Sequence, residues 1–370
     1  MDATLLTGRS IVGAAAARMS IDGKQYLNFF GSGYLALTNI AEIRAAVRQA
    51  LDGGATFSKQ IPAALGAIDP AFEAIEQAGA GALGTPASVY FASGYLIGAV
   101  GLASLEPSFD LVAIDEAAHF NLYDAAKIAS RPVFSFAHCD AQSLSEVLKR
   151  NVRKTQHPLV LTDGVFATTG RIPPLADYCR LLTLYDGHLL VDESHGFGVI
   201  GRNGRGAVEH CGVGGSMVTT GATLGKAFCA QGALLGCSAE AASHLRTVPP
   251  IRGACAGSPL SAVASSASLA YMASHPELRT DLQALTEYLR SRLRRLGVDV
   301  MASPAPIVAF QWGSRANMLA LQARLWECGI HIYHSSYVGA GPEGIIRCAV
   351  FRDHSRDDID TLVDRLSTLG

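Results

Sequence analysis

Short apolar runs alternate with longer amphipathic stretches along the first two thirds of the chain. The stretches between the runs are long enough for crossover helices, and the runs themselves are apolar on both faces. Strands of that kind, joined by helices, form mainly parallel sheets that are covered on both sides. We therefore predict an α/β fold whose sheet contains strands at 87–93, 109–115, 132–138, 158–164, 188–194 and 216–222.

The pattern changes twice along the chain. An amphipathic helix is predicted at 39–54, with Asn39 as a candidate N-cap and a Gly-Gly pair at its end. Beyond about residue 248, long helical stretches are followed by short strand-like segments and further helices, which is typical of a smaller α+β domain. We predict three parts, namely an N-terminal arm at 1–38, a large domain at 39–248 and a small C-terminal domain at 249–370.

Composition excludes several classes of protein. A hydrophobic fraction of 49% and a mean hydropathy of +0.23 indicate a large buried core. The net charge is −2 and no basic run is present, so we expect no nucleic-acid partner. No uninterrupted apolar stretch is long enough to cross a bilayer, and the eight cysteines form no C-x-x-C pair. We expect a cytoplasmic protein without a membrane segment, a disulfide framework or a metal site.

Polar residues that are suited to catalysis follow two of the predicted strands. Asp192 and His195 come directly after the apolar run HLLV, and Lys226 stands alone in the small-residue stretch TTGATLGKAFCAQG. A lone lysine of this kind either extends its amine to water along an apolar surface or lies in a desolvated pocket as a nucleophile. Because strand ends meet at one edge of a parallel sheet, the three side chains suit a pyridoxal phosphate site.

The chain resembles the α-oxoamine synthases, a group of fold type I pyridoxal phosphate enzymes that includes 8-amino-7-oxononanoate synthase and 2-amino-3-ketobutyrate ligase. Seven motifs between about residues 22 and 368 carry the resemblance, in the order that the family has them. They are IDGKQYLNFFGSGYLAL, YFASGYLIG, IDEAAHFNLYDAA, LTDGVFATTGRIPPL, LLVDESHGFGVIGRNGRG, TTGATLGKA and GIIRCAVFRDHSRDDID. The resemblance implies the aspartate aminotransferase-like fold and pyridoxal 5′-phosphate as cofactor.

The resemblance also implies roles for individual residues. Lys226 is the lysine that forms the Schiff base, Asp192 the partner of the pyridine nitrogen and His195 a donor to the phenolic oxygen. His119 stacks on the ring. Thr223 and the backbone amides of Ser93, Gly94 and Tyr95 bind the phosphate, while Arg347 and Ser32 bind the amino-acid substrate.

Structural alternatives exist for several of these residues. His119 is an isolated histidine, and such histidines more often have a structural role. Asp192 is compatible with a helix cap or an ion pair, and Arg347 with a solvated position on a strand.

Four segments that face the substrate depart from the family pattern. Gly31-Ser32-Gly33-Tyr34 replaces Ser-Asn-Asp-Tyr, and Ala167 replaces the serine of Asp-Gly-Val-Phe-Ser. Residues 58–63 lack the family's glycine-rich segment and its arginine, and Cys255-Ala256-Gly257 takes the place of a phosphate-binding Ser or Thr from the partner subunit.

Three functions therefore stay open. The first is condensation of an amino acid with an acyl thioester, from coenzyme A or a carrier protein, with decarboxylation in most family members. The second is another carbanion reaction of a fold type I enzyme, as in an aminotransferase, decarboxylase, racemase or carbon–carbon lyase. The third is a non-catalytic partner subunit. Family sites are built from two subunits, so we expect a homodimer.

Overall fold

A computed structural model describes residues 5–59, 69–252 and 257–369. The strands are β1 (Ile11–Val12), β2 (Arg18–Ile21), β3 (Lys24–Asn28), β4 (Ala87–Phe91), β5 (Leu111–Asp115), β6 (Val133–Phe136), β7 (Pro158–Asp163), β8 (His188–Asp192), β9 (Val218–Thr223), β10 (Ala233–Cys237), β11 (Ile307–Phe310), β12 (Ile330–His331), β13 (Tyr333–Ser335) and β14 (Ile345–Ala349).

The helices are α1 (Ala41–Asp52), α2 (Pro70–Leu83), α3 (Ile97–Leu105), α4 (Phe120–Ile128), α5 (Ala141–Asn151), α6 (Leu175–Thr183), α7 (Ala207–His210), α8 (Ala239–Leu245), α9 (Pro249–Arg252), α10 (Pro259–Ser274), α11 (Glu277–Arg295), α12 (Arg315–Glu327) and α13 (Arg356–Leu369). None of the helices in the described part of the chain combines the length and apolarity that a membrane crossing requires.

The chain forms two compact units. The larger unit comprises residues 37–166 and 172–276, and the smaller one comprises the described residues of 1–36, 167–171 and 277–370. Helix α10 belongs to the larger unit because it packs against α1 and α2. The division into three parts, with boundaries after residues 38 and 248, stays a prediction. The main boundaries between the two compact units lie at 36/37 and 276/277.

The larger unit is built on a seven-stranded sheet in the order β4-β10-β9-β8-β7-β5-β6. All six predicted strands are present in it, and their pairings with one another are parallel. The added strand β10 is antiparallel to both of its neighbours, β4 and β9. Leu159, Leu161 and Leu190 are fully buried between the sheet and its helices. The prediction of a mainly parallel sheet covered on both faces is confirmed.

Local sequence explains where the helices of this unit begin and end. Asp69 caps α2 through a hydrogen bond from the Ala71 amide at 3.0 Å, and Gly84 ends the helix in the left-handed region at φ 73°. For α1 the predicted N-cap is wrong. Asn39 lies in a 3₁₀ turn, Leu37–Asn39, and the cap position belongs to Ile40, which offers no side-chain acceptor.

The smaller unit contains two sheets, in the orders β1-β2-β3-β12 and β11-β14-β13, with α11, α12 and α13. This composition confirms the predicted α+β character of the C-terminal region. Two buried histidines flank Asn28 in its interior. His354 Nε2 lies 3.0 Å from the Asn28 carbonyl oxygen, and His331 Nδ1 lies 3.0 Å from its side-chain oxygen.

These histidines give the smaller unit an acid-labile interior. Burial lowers the pKa of both His331 and His354 to about 4, whereas an unfolded histidine titrates near about 6.5. The unfolded chain therefore binds more protons between these values, so stability is fully present above about pH 6.5 and falls as the pH drops towards 4.

We expect His354→Gln to flatten this acid dependence. A shift of this size corresponds to a free energy on the order of 3 kcal/mol for the buried histidine. The free energy of unfolding of the variant and the wild type is measured by urea unfolding at pH 7 and pH 5. Hydrogen exchange in the peptide that contains Asn28 is the readout. His210→Gln, at an exposed histidine of the larger unit, is the control and should leave the pH dependence unchanged. An unaltered slope in His354→Gln would contradict the prediction.

Candidate active site

The larger unit collects polar side chains at one edge of its sheet. Strands β7 and β8 are parallel neighbours, and their last residues, Asp163 and Asp192, are paired in register. Strands β4 and β9 end at the same edge because both run antiparallel to β10. The edge predicted to carry the chemistry therefore brings two buried carboxyl groups side by side.

Hydrogen bonds fix the carboxylate of Asp192. Its Oδ1 accepts from the Ser194 amide at 3.0 Å, and its Oδ2 accepts from Asn121 Nδ2 at 2.9 Å. The Ser194 hydroxyl accepts in turn from the Thr223 amide at 3.3 Å, which ties the ends of β8 and β9 together. His195 is buried three residues after Asp192. The carboxylate thus has a fixed position at the floor of the site.

Asp163 is the second carboxyl group of the pair. Burial and the adjacent charge of Asp192 raise the pKa of Asp163 well above its usual range. The His119 amide, which donates to its Oδ2 at 2.8 Å, and the charge of Lys226 act on this pKa in the opposite direction. Asp163 is consequently the member of the pair whose carboxyl group favours its protonated form, whereas both oxygens of Asp192 accept hydrogen bonds, as suits a carboxylate.

Lys226 lies in the loop between β9 and β10 and is half-buried. Its effect on the pKa of Asp163 places the ammonium group close to the carboxyl pair. The role of this lysine as the amine that holds the cofactor stays a prediction.

His119 serves as the N-cap of α4. Its Nδ1 accepts from the Asn121 amide at 3.2 Å and lies 2.8 Å from Asn121 Oδ1. The structural role that we considered is therefore real, and it holds the imidazole next to the residue that binds Asp192. Stacking on a cofactor ring stays a prediction.

Sequence reasoning missed two residues of this cluster, Asn121 and Asp163. Both lie within motifs that carry the family resemblance, IDEAAHFNLYDAA and LTDGVFATTGRIPPL. The signal was a polar residue directly after an apolar strand in the case of Asp163, and an amide two residues after a candidate histidine in the case of Asn121.

Residues 93–95 form the turn that leads from β4 into α3. Ser93 Oγ accepts from the Tyr95 amide at 3.3 Å, and Gly94 lies directly against Thr223. A β-carbon added to Gly94 would stand 2.7 Å from Cβ and 2.8 Å from Oγ1 of Thr223. The four residues predicted to bind phosphate are therefore in one place, beside the start of a helix, where amides and the dipole favour an anion.

This set of groups fits pyridoxal phosphate. Gly94 packs so closely against Thr223 that only glycine fits at the start of the turn, Asp192 is a buried acceptor, and the charge of Lys226 acts on the neighbouring Asp163. The bound cofactor supplies an electron-accepting ring. Thr223 and Gly94 would hold its phosphate and Asp192 its ring nitrogen.

We expect Gly94→Ala to weaken cofactor binding. The added methyl group overlaps Thr223, which cannot turn away easily because its hydroxyl donates to the Gly232 carbonyl at 3.2 Å and accepts from the Gly225 amide at 3.2 Å. Overpacking of this kind costs about 1–3 kcal/mol, so the Kd for pyridoxal phosphate should rise about 5- to 150-fold.

Titration of the apoenzyme with cofactor, followed by tryptophan fluorescence, measures this Kd. Gly81→Ala is the matched control, since a β-carbon there meets nothing within 4 Å in the exposed face of α2. It should leave the Kd unchanged and stabilise the helix slightly. A Kd in Gly94→Ala equal to that of the control would overturn the placement of the phosphate.

The two residues predicted to bind the substrate belong to the smaller unit. Arg347 is buried on β14 rather than solvated, so that alternative is wrong. Its Nε donates to the Ala167 carbonyl at 2.7 Å, and its Nη1 and Nη2 lie 3.3 Å from the Gly31 carbonyl and the Tyr34 hydroxyl. Ser32 is half-buried in the same loop as Tyr34.

The surroundings of Arg347 are neutral. Among the described residues no carboxylate forms an ion pair with its guanidinium, and such a buried charge is stabilised by an anionic partner. Two of the segments that depart from the family pattern, at Gly31 and Ala167, supply backbone carbonyls to it. The departures at 60–63 and 255–256 lie outside the described residues.

One cluster of possible metal ligands was not predicted. Asp115, His138 and Cys139 come together at the ends of β5 and β6, with His138 Nδ1 2.9 Å from Asp115 Oδ1. The Asp115 carboxylate already accepts from the Ala117 and Cys139 amides at 2.9 and 2.8 Å. The expectation of a chain without a metal site stays a prediction.

Comparison with known proteins places the chain in a family. Residues 32–366 match the aminotransferase class I and II family. The chain belongs to that family. It is 28% identical to the 8-amino-7-oxononanoate synthase of Alkaliphilus metalliredigens over 369 residues, which covers 97% of this chain and 91% of the relative. The corresponding enzyme of Stutzerimonas stutzeri is 33% identical over 317 residues, 84% of this chain and 79% of its own.

Solved structures share the fold. Serine palmitoyltransferase of Sphingomonas wittichii superposes with a TM-score of 0.90 at 23% identity, covering 99% of this chain and 94% of that one. The 8-amino-7-oxononanoate synthase of Francisella tularensis gives a TM-score of 0.79 at 21% identity, with 93% and 97% covered. The predicted resemblance to α-oxoamine synthases, the fold type I architecture, the enzyme class and the pyridoxal phosphate cofactor are confirmed.

Proposed function

We propose that this family member condenses an amino acid with an acyl thioester, of coenzyme A or an acyl-carrier protein, and releases the carboxylate of the amino acid as CO₂. The observation that carries the proposal is the similarity to 8-amino-7-oxononanoate synthases along nearly the whole chain. The residues of both units, and not only the cofactor site, take part in that similarity.

Each residue of the site has a part in this reaction. Lys226 holds the cofactor and, when free, is the base that moves the proton of the substrate α-carbon. Asp192 would keep a proton on the ring nitrogen of the bound cofactor, and His195 would donate to its phenolic oxygen. Thr223 with the amides at 93–95 would bind the phosphate, and His119 would stack on the ring.

Arg347 has the chemistry to bind the carboxylate of the amino acid. Its guanidinium is buried among neutral oxygens, so a substrate carboxylate would provide the charge that the protein does not. Ser32 would contact the same substrate from the adjoining loop. The predicted homodimer and cytoplasmic location stay predictions.

A second reaction of the same cofactor is favoured by one specific observation. Two substrate-facing positions, Gly31 and Ala167, differ from the residues of α-oxoamine synthases, and both now touch Arg347 through their carbonyl groups. A rewritten substrate pocket is compatible with transamination, decarboxylation, racemisation or carbon–carbon cleavage of an amino acid.

A paired substrate screen separates these reactions. The holoenzyme is incubated with each amino acid, with and without a set of acyl-CoA thioesters, and free thiol, CO₂ and keto acid are quantified. Condensation predicts that thiol appears only when both substrates are present. Keto acid formed without a thioester would establish an aminotransferase instead, and turnover of no amino acid under any condition would favour the non-catalytic partner subunit.

A further inference from the structure

The larger unit contains a cavity of about 830 Å³ at the edge of the sheet opposite to Lys226. It opens where β9 begins at Val218, whereas Thr223 ends that strand at the cofactor site. Six residues of strand separate the two ends, which corresponds to roughly 16–20 Å. A volume of this size is in the range of small-molecule sites. The cavity is thus separate from the machinery described above.

Arg205 is the cation of this cavity. Its Nε atom is enclosed and has no hydrogen-bond partner. Within the described residues no carboxylate or carbonyl binds any part of this guanidinium, which lies flat against Gly84 at the end of α2. A β-carbon at Gly84 would stand 2.4 Å from Cζ of Arg205, so the glycine permits this position. An enclosed donor without a partner is unfavourable unless a ligand accepts from it.

The acidic residue of the cavity wall is already satisfied. Glu209 accepts from the amides of Asn203 and Arg205 at 2.9 and 3.1 Å, and from Asn203 Nδ2 at 2.5 Å. Its charge therefore holds its own loop in place. The positive charge of Arg205 is left for a ligand.

Backbone donors and apolar side chains complete the wall. The amides of Gly214, Gly215 and Ser216 donate to no group in the described part of the chain, and β-carbons at the two glycines would meet nothing within 4 Å. The apolar side chains of the wall include Leu83, Leu105, Val208, Val213 and Val218, and hydroxyl groups of Thr85, Ser104, Thr219, Thr220 and Ser238 lie among them. One cation, free amides and an apolar wall suit a monoanion with a hydrocarbon body better than a phosphate dianion.

We propose that this cavity binds a monocarboxylate with a hydrocarbon chain, whose carboxylate accepts from Arg205 and whose chain lies along the apolar wall. The planar guanidinium matches a carboxylate through two parallel hydrogen bonds. The site is independent of the substrate and cofactor groups of the proposed function.

The test uses octanoate and the holoenzyme in isothermal titration calorimetry. We expect saturable binding in the wild type, about tenfold or more weaker binding in Arg205→Gln, and unchanged binding in Arg202→Gln. Arg202 is the matched control because it is an exposed arginine of the same loop outside the cavity. Octan-1-ol lacks the charge and inorganic phosphate lacks the chain. Both should bind to the wild type no more tightly than octanoate binds to Arg205→Gln.

A cysteine in the cavity wall reports where octanoate binds. Cys237 lines the cavity and is half-buried, while Cys328 is exposed elsewhere. At about ten times the Kd, octanoate should slow alkylation of Cys237 by maleimide about tenfold and leave Cys328 unaffected, as measured by peptide mass spectrometry. Octanoate also resembles the acyl group of the proposed substrate and could bind at the acyl site. Protection of Cys237 shows that it binds in this cavity instead.

Several results would overturn the proposal. They are the absence of octanoate binding, binding that is equal in Arg205→Gln, equal binding of octan-1-ol, and preferential binding of phosphate. If Arg205→Gln does not fold, Ala241→Leu, which narrows the cavity from α8, replaces it and should weaken octanoate binding while substrate turnover is retained. Unchanged octanoate binding in that variant would equally refute the site.

Discussion

Lys226→Ala should lower product formation by about 10⁴-fold or more, because it removes both the amine that holds the cofactor and the group that moves the substrate proton. No other lysine is found among the residues at this edge of the sheet in the described ranges. The position of the ammonium near Asp163 and Asp192 is what makes the loss specific. Steady-state turnover of the substrate pair found in the screen measures it.

Lys226→Arg distinguishes the two contributions of the lysine. It keeps a cation beside Asp163 but provides no nucleophilic amine, so it should be as inactive as the alanine variant. A second readout does not depend on turnover. After borohydride reduction and proteolysis, the wild-type peptide that contains Lys226 should carry the mass of the cofactor, and both variants should lack it. Wild-type activity in Lys226→Arg would show that only the charge matters.

The sequence was sufficient to predict the sheet because its strands are buried on both faces. A run such as PLVLTDG can bury six consecutive residues only in the interior of a covered parallel sheet, and β7 does so. Strand β10 was not predicted. Its five residues, ALLGC, follow the loop of Lys226 and are too short and too similar to that loop to stand out by periodicity. Its pairing with β4 and β9 is long-range.

The sequence identifies site residues that stand out in a local pattern, and it misses those whose role depends on long-range contacts. Asp192, His195 and Lys226 are recognisable because each has an unusual residue type in a local pattern. The importance of Asp163 arises from its register with Asp192, and that of Asn121 from a hydrogen bond across 71 positions of the chain. The cavity of Arg205 is formed by residues from four separate stretches, so no local pattern marks it. Tertiary register and packing decide these features.

The two buried carboxyl groups give the most discriminating prediction. Asp192→Asn should reduce turnover by about 10²- to 10⁴-fold, because it removes the carboxylate that would face the ring nitrogen of the bound cofactor, and an uncompensated buried charge costs about 3–5 kcal/mol. The amide keeps the size of the side chain, and its oxygen still accepts from Ser194 or Asn121. The amide nitrogen faces the other donor, so the loss combines the missing charge with one lost hydrogen bond.

Asp163→Asn is the matched control at the adjacent strand end. Since burial and Asp192 raise the pKa of Asp163, its native form resembles the neutral amide, and the variant can still accept from the His119 amide. We expect its turnover to fall less than about tenfold, because no charge is removed from the site. Comparable losses in the two variants would contradict the assignment of the charge to Asp192. If instead Asp163→Asn lost more activity than Asp192→Asn, the charged carboxylate would be the one on β7.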